Sequence, residues 1–183
     1  MKSQKKIGSE KFLKGFTLIE VLVYIAVLTI IVLAISSLLI WAIRSGAKAK
    51  AMRETLNNAE RAMAIMVHET KEAKGIYTPT SLFDAHPGQL SLETTKYSSL
   101  EEETIFLDFY LCQDKLCLKK ESQDPFVLTS DSVEISNLVF SEVFSGQAPS
   151  LQIDLIVSYK NPQNRPEYSA SVNLRSTVSL IFY

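Results

Sequence analysis

The feature that most constrains this chain is an uncharged apolar segment that runs from Val21 to Ile43, directly after a single acidic residue, Glu20. As a helix this segment would be ~34 Å long, which is enough to cross a bilayer. A carboxylate at the start of such a span is costly and indicates a functional role. A secretory signal peptide has an apolar core of only ~7–15 residues, so the length of this segment argues against one.

A plain membrane anchor would explain the span but leaves Glu20 and the Lys14-Gly15-Phe16 junction before it without a purpose. The charged residues of the segment before Phe16 are basic, with Glu10 as the acidic exception: Lys2, Lys5, Lys6, Lys11 and Lys14. By the positive-inside bias this arrangement places the N-terminus in the cytoplasm. Basic residues after the span weaken the charge asymmetry: Arg44, Lys48, Lys50 and Arg53.

The stretch Gly15-Phe16-Thr17-Leu18-Ile19-Glu20 resembles the processing and methylation motif of type IV prepilins and type II secretion pseudopilins. The resemblance implies a leader that ends with Lys14 and Gly15, cleavage between Gly15 and Phe16 by a prepilin peptidase, and N-methylation of Phe16. It also implies that the rest of the chain lies outside the cell (inner) membrane, because that peptidase works at the cytoplasmic face. The implied partners are the peptidase/methyltransferase, other pilin or pseudopilin subunits, an inner-membrane assembly platform and membrane lipid.

For Glu20, the resemblance implies pairing with the charged amine of a processed Phe16, usually on a neighbouring subunit. Phe16 and Glu20 are one helical turn apart, so pairing within one chain before assembly is an alternative. A third interpretation is that Glu20 reaches back towards the cytoplasmic interface.

Beyond the span, apolar residues continue at helical spacing: Met52, Leu56, Ala59, Met63, Met66 and Ala73. This stripe predicts one long helix from about Phe16 to Lys74 that packs on the protein's own sheet, with a loosening near Ser45-Gly46 and a stop at Gly75. A peptide-binding groove is the less favoured interpretation of the methionines. The expected organisation is a leader over 1–15, a membrane or filament-core helix over 16–43, an amphipathic helix over 44–74 and an exported β-rich part over 75–183.

After Gly75 the apolar period becomes two. Alternation predicts strands over Ile105–Leu111, Val133–Phe140, Leu151–Tyr159 and Tyr168–Leu174, with Val178, Leu180 and Phe182 as an extension. Asn161–Pro166 predicts a turn that joins the last two strands as a hairpin, whereas Thr78–Glu103 indicates loops with at most short strands. A helix with one apolar face on an antiparallel sheet is an α+β fold, which the resemblance also implies.

Cys112 and Cys117 flank a short hairpin. If Asp114 and Lys115 form its turn, Cys112 lies opposite Cys117, close enough for the disulfide that we favour over two free thiols. A metal site is disfavoured, because two cysteines without a nearby histidine do not supply the usual number of ligands.

His68 and His86 have no catalytic partner motif. The run Glu101-Glu102-Glu103 indicates a solvated run of charge. No cofactor is indicated. The net charge of −1 gives no reason to expect a nucleic-acid partner.

Two function classes remain. The first is a non-enzymatic minor pilin or pseudopilin in a type IV pilus, competence pseudopilus or type II secretion pseudopilus. The second is a membrane-anchored exported domain with an independent binding or enzymatic activity. The segments Glu72–Ile76 and Val172–Ser176 resemble those of W-type minor pilins and J-type pseudopilins. The lack of Gly and Pro between Phe16 and Gly46 departs from many abundant pilins and favours a low-abundance subunit.

Overall fold

The computed structural model describes residues 15–96, 104–145 and 148–180. Its single described helix, α1, covers Leu18–Glu72. The strands are β1 (Gly75–Ile76), β2 (Leu90–Thr94), β3 (Ile105–Cys112), β4 (Lys115–Lys120), β5 (Phe126–Val127), β6 (Val133–Ser145), β7 (Ala148–Tyr159) and β8 (Ser171–Ser179). A 3₁₀ turn at Pro166–Tyr168 precedes β8. The chain divides into two compact units, one up to Ile43 and one from Arg44 onwards.

The strands form two antiparallel sheets: five strands in the order β1-β2-β3-β4-β5, and three in the order β6-β7-β8. Within the second unit, α1 packs against these sheets around one hydrophobic core. The predicted α+β class is therefore confirmed. The predicted helix, Phe16 to Lys74, is two residues too long at each end, because α1 begins at Leu18 and ends at Glu72. Lys74 cannot continue the helix, because its N–H donates to the Glu93 carbonyl (2.7 Å) at the start of the β1–β2 pair.

The first unit consists largely of the apolar half of α1. Thr17 lies just before the helix and accepts the Glu20 N–H on its hydroxyl (3.3 Å), which is the role of an N-cap and explains the start at Leu18. Hydroxyls farther along donate to carbonyls one turn earlier, as with Ser36 and Val32 (2.8 Å), so they need no water. By length and composition, α1 contains a segment that could cross a membrane.

The second half of α1 buries a face that is rotated about the helix axis relative to the one that the sequence indicated. Ala59, Met63, Met66 and Ala73 are buried as predicted, which agrees with packing on the protein's own sheets. Met52 and Leu56, however, are 46% and 36% exposed, so their predicted burial is wrong. The residues just before them, Ala51 and Thr55, are buried instead. Small side chains let the helix approach closely, and the Thr55 hydroxyl is satisfied by the Ala51 carbonyl at 2.8 Å. No loosening appears at Ser45-Gly46, where α1 is continuous.

The strand predictions for the second unit are confirmed in outline. In β6 the alternation of buried residues shifts by one position along the strand. The buried residues have odd numbers at first, Val133 and Ile135, and then even numbers, Leu138 and Phe140. A bulge between Ile135 and Asn137 inserts one residue and keeps both pairs on the same face. The expected β7–β8 hairpin forms, but Tyr168 lies outside β8, in the 3₁₀ turn. Leu180 is buried just after β8, and Phe182 lies outside the described residues.

The segment between β1 and β2 covers the edge of β6. Asp84 and Gly88 donate their N–H groups to the carbonyls of Phe140 (2.8 Å) and Leu138 (2.9 Å), and the Leu138 N–H donates to Nδ1 of His86 (3.0 Å). A Cβ atom at Gly88 would lie 3.0 Å from the Leu138 oxygen, so a side chain there would require the neighbouring atoms to move by a few tenths of an ångström. The edge strand is thus paired with a loop rather than left open to other chains.

A polar contact attaches α1 to the loop before β6. The Oδ1 atom of Asn58 accepts the Ser130 N–H (2.9 Å), and a carboxylate oxygen of Glu54 accepts the Ser132 hydroxyl (3.1 Å). These bonds satisfy partly buried polar groups at the place where the helix meets the start of β6. They position the helix relative to the sheet in addition to the apolar core.

Candidate functional site

The predicted processing and assembly residues lie around the start of α1. Gly15 and Phe16 precede the helix in irregular backbone, and the Phe16 side chain is 72% exposed. A Cβ atom at Gly15 would meet no other atom within 4 Å. Nothing in the described part of the chain therefore requires glycine at this position. Lys14, the other leader residue of the predicted site, lies outside the described residues.

Glu20 lies in the first turn of α1, where the helix dipole favours a negative charge. Its Oε1 atom accepts a hydrogen bond from the Tyr24 hydroxyl at 3.1 Å. The Tyr24 ring also meets the Phe16 ring edge-on, with 6.2 Å between the ring centroids. Phe16, Glu20 and Tyr24 are spaced by four residues; Glu20 and Tyr24 lie one turn apart on α1, and Phe16 lies just before the helix. Tyr24 was missed from the sequence, although this spacing is the signal that could have identified it.

The two cysteines lie at the β3–β4 hairpin, in a register that differs from the predicted one. Gln113 and Asp114, not Asp114 and Lys115, form the turn, so that Cys112 lies opposite Lys115 and Cys117 opposite Tyr110. Gln113 adopts φ 58°, and the Asp114 carbonyl accepts the Ile135 N–H (2.8 Å), which holds the turn at this position. The cysteines are therefore diagonal neighbours. Their Cα atoms are 5.9 Å apart and their sulfur atoms form a disulfide.

We expect no free cysteine in protein recovered from the exterior of the cell. Thiol labelling of unfolded, unreduced protein checks this, and a reduced sample provides the positive control. Because the closed loop is short, replacing both cysteines by serine should lower the free energy of unfolding by about 2 kcal/mol at most. Labelling of two thiols without reduction would contradict the prediction.

The two histidines make different polar contacts, and Nε2 of His68 lies 3.4 Å from Nζ of Lys96. Nε2 of His68 lies 3.5 Å from a Glu72 carboxylate oxygen at the exposed end of α1. The Lys96 ammonium, which hydrogen-bonds to the same carboxylate, holds the pKa of Glu72 below its usual value. His86 accepts a hydrogen bond from the β6 backbone, as described above. In the described residues no group of three or more His, Cys, Asp or Glu side chains could hold a metal ion. The run Glu101-Glu102-Glu103 lies outside them.

Residues 14–36 match the family described as the prokaryotic N-terminal methylation motif. The match covers the Gly15-Phe16 junction, Glu20, Tyr24 and the first part of α1, but none of the sheets. Comparisons with curated proteins and with solved structures each found no match. Proteins with this motif are structural pilin subunits, and the motif together with the apolar helix supports single-pass membrane anchoring. The chain therefore carries a prepilin-type cleavage and methylation motif on a pilin-like α+β fold, which supports a type IV pilin or pseudopilin type of protein that prepilin peptidase processes.

Proposed function

We propose that this chain is a minor pilin or pseudopilin that acts by assembly rather than by catalysis. Prepilin peptidase would cleave it between Gly15 and Phe16 and methylate the new N-terminus. The processed subunit would join, or lie at the tip of, a type IV pilus, a competence pseudopilus or a type II secretion pseudopilus. The observation that carries this proposal is the methylation motif over residues 14–36, with Glu20 as the acidic residue at the start of a membrane-length helix.

The proposed location before assembly is the cell (inner) membrane, with the N-terminus in the cytoplasm and the β-rich part outside. The basic leader residues support this orientation, as does a disulfide, because disulfides persist in oxidising compartments. The side chains between Leu18 and Ile43 are largely exposed in the isolated chain, and most of them are apolar. Such a surface needs lipid before assembly and neighbouring helices afterwards.

In the assembled state, Glu20 would pair with the Phe16 amine of a neighbouring subunit. A carboxylate and an ammonium group that are buried together stabilise each other in a low-dielectric helix bundle, whereas either one alone is costly.

Two observations support the role of a low-abundance subunit. The helix α1 is continuous around Ser45-Gly46, and the sequence has no helix-loosening Gly or Pro between Phe16 and Gly46. The W-type or J-type resemblance belongs to this proposal and depends on the short segments near Gly75 and Leu174.

The test is the intact mass and N-terminal sequence of the full-length protein extracted from the membrane of its own host. We expect a chain that begins at a methylated Phe16. The same protein extracted from a strain without prepilin peptidase is the control and should begin at Met1. A Met1 start in the wild-type strain would reject the proposal and support a membrane-anchored exported domain with its own activity.

A further inference from the structure

Tyr24 is the side chain in the apolar half of α1 that contacts the carboxylate of Glu20. Its hydroxyl donates to Oε1 of Glu20 at 3.1 Å, from the next turn of the same helix. The other hydroxyls of this segment donate to backbone carbonyls: Thr29 to Ala26 (2.8 Å), Ser36 to Val32 (2.8 Å) and Ser37 to Ala34 (2.9 Å). Among the described residues up to Ile43, Tyr24 is thus the one side-chain donor directed at a side-chain acceptor.

The location of this contact makes it important. Hydrocarbon offers no water to a carboxylate, so each hydrogen bond to the charged group is worth more there than on a wet surface. Within the described part of the chain, no basic side chain forms an ion pair with Glu20. The Tyr24 ring packs edge-on against Phe16 at a centroid distance of 6.2 Å, which restricts how the tyrosine can turn. The ring contact and the hydroxyl contact together orient the carboxylate.

We propose that Tyr24 is a positioning residue for Glu20. Its hydroxyl holds Oε1 and leaves Oε2, which has no other partner among the described residues, to receive the charged amine of an incoming subunit. The inference rests on the proposed function, because it assigns Tyr24 to the same Glu20 pairing. Tyr24 would therefore serve two states of the protein: it supplies a hydrogen bond before assembly and orients the carboxylate during docking.

The first measurement tests the hydrogen bond without depending on assembly. Infrared difference spectra of the full-length chain in lipid vesicles identify the carboxylate band that Glu20→Gln removes. In Tyr24→Phe, which retains the ring contact with Phe16 but lacks the hydroxyl, that band should shift. In the matched control Ser36→Ala, which loses a hydroxyl bound to its own backbone, the band should stay in place. An unshifted band in Tyr24→Phe overturns the inference.

The second measurement is recovery of partner subunits with the tagged chain from membranes of its own host. Tyr24→Phe should keep a normal membrane level and normal leader cleavage, while recovery of partners decreases by about tenfold or more, as expected for the loss of a hydrogen bond to a charged group. Ser36→Ala should match the parent protein. If Glu20→Gln loses its partners but Tyr24→Phe recovers them fully, Tyr24 has no positioning role and the proposed function stands. If Glu20→Gln also recovers them fully, the role of Glu20 in the proposed function fails, and this inference fails with it.

Discussion

Replacing Glu20 by Gln should leave the protein in the membrane and correctly cleaved, but unable to dock with its partner subunits. The span becomes more apolar, so insertion is unaffected or improved, and the motif up to Phe16 is intact. Glutamine has almost the same size, and its side-chain oxygen can still accept the Tyr24 hydroxyl that contacts Glu20 at 3.1 Å. The substitution therefore changes the charge and little else.

The loss should be large because the partner's Phe16 ammonium would remain buried without a counter-ion. Removing one member of a buried charge pair costs about 3–5 kcal/mol. The measurements are the membrane level, the extent of leader cleavage and the co-purification of partner pilins, each compared with the parent protein and with Ser36→Ala. If Glu20→Gln co-purifies as well as the parent and restores function in a deletion strain, the carboxylate is only an interfacial residue.

The second large effect is expected at the cleavage site. Gly15→Leu should leave the leader attached, because the peptidase that the motif implies needs a small residue before the cut. A Cβ atom at Gly15 would meet no other atom within 4 Å, so we expect the substitution to leave the fold of this chain undisturbed. The span is untouched and the protein should remain in the membrane.

The control for this prediction is Gly15→Ala, which keeps a small residue and should still be cleaved. Gel mobility and intact mass of membrane-extracted protein distinguish the precursor from the processed form. Normal cleavage of Gly15→Leu would show that the junction is not a prepilin peptidase site. A precursor that accumulates only in the leucine variant would tie the small residue to the enzyme rather than to folding.

Several features of the protein could be predicted because they depend on neighbouring residues alone. The apolar span, the position of Glu20 within it and the alternation of β3 and β7 are local patterns, and they determine element type whatever the rest of the chain does. The β7–β8 hairpin follows from a polar turn between two alternating segments. The processing motif is also local, and its match to residues 14–36 needs no tertiary structure.

Other features required knowledge of which residues lie close together in space. The sequence favoured Met52 and Leu56 for the buried face of α1, because they are more apolar than their neighbours. Burial of Ala51 and Thr55 instead reflects how closely the helix approaches the sheets, and a threonine is tolerated there because its hydroxyl bonds to its own helix. The types of residue on the helix do not by themselves indicate how closely the helix approaches the sheets.

The sequence by itself therefore determined the membrane-length helix, the methylation motif, the α+β class and most strands, since hydrophobic period and motif spacing act over short distances. The tertiary structure decided the hairpin register, where the Asp114 carbonyl binds the Ile135 N–H and moves the turn by one residue. It also decided that the loop around Gly88 covers β6. These contacts depend on the direction of individual donors and acceptors, which a pattern of residue types does not specify.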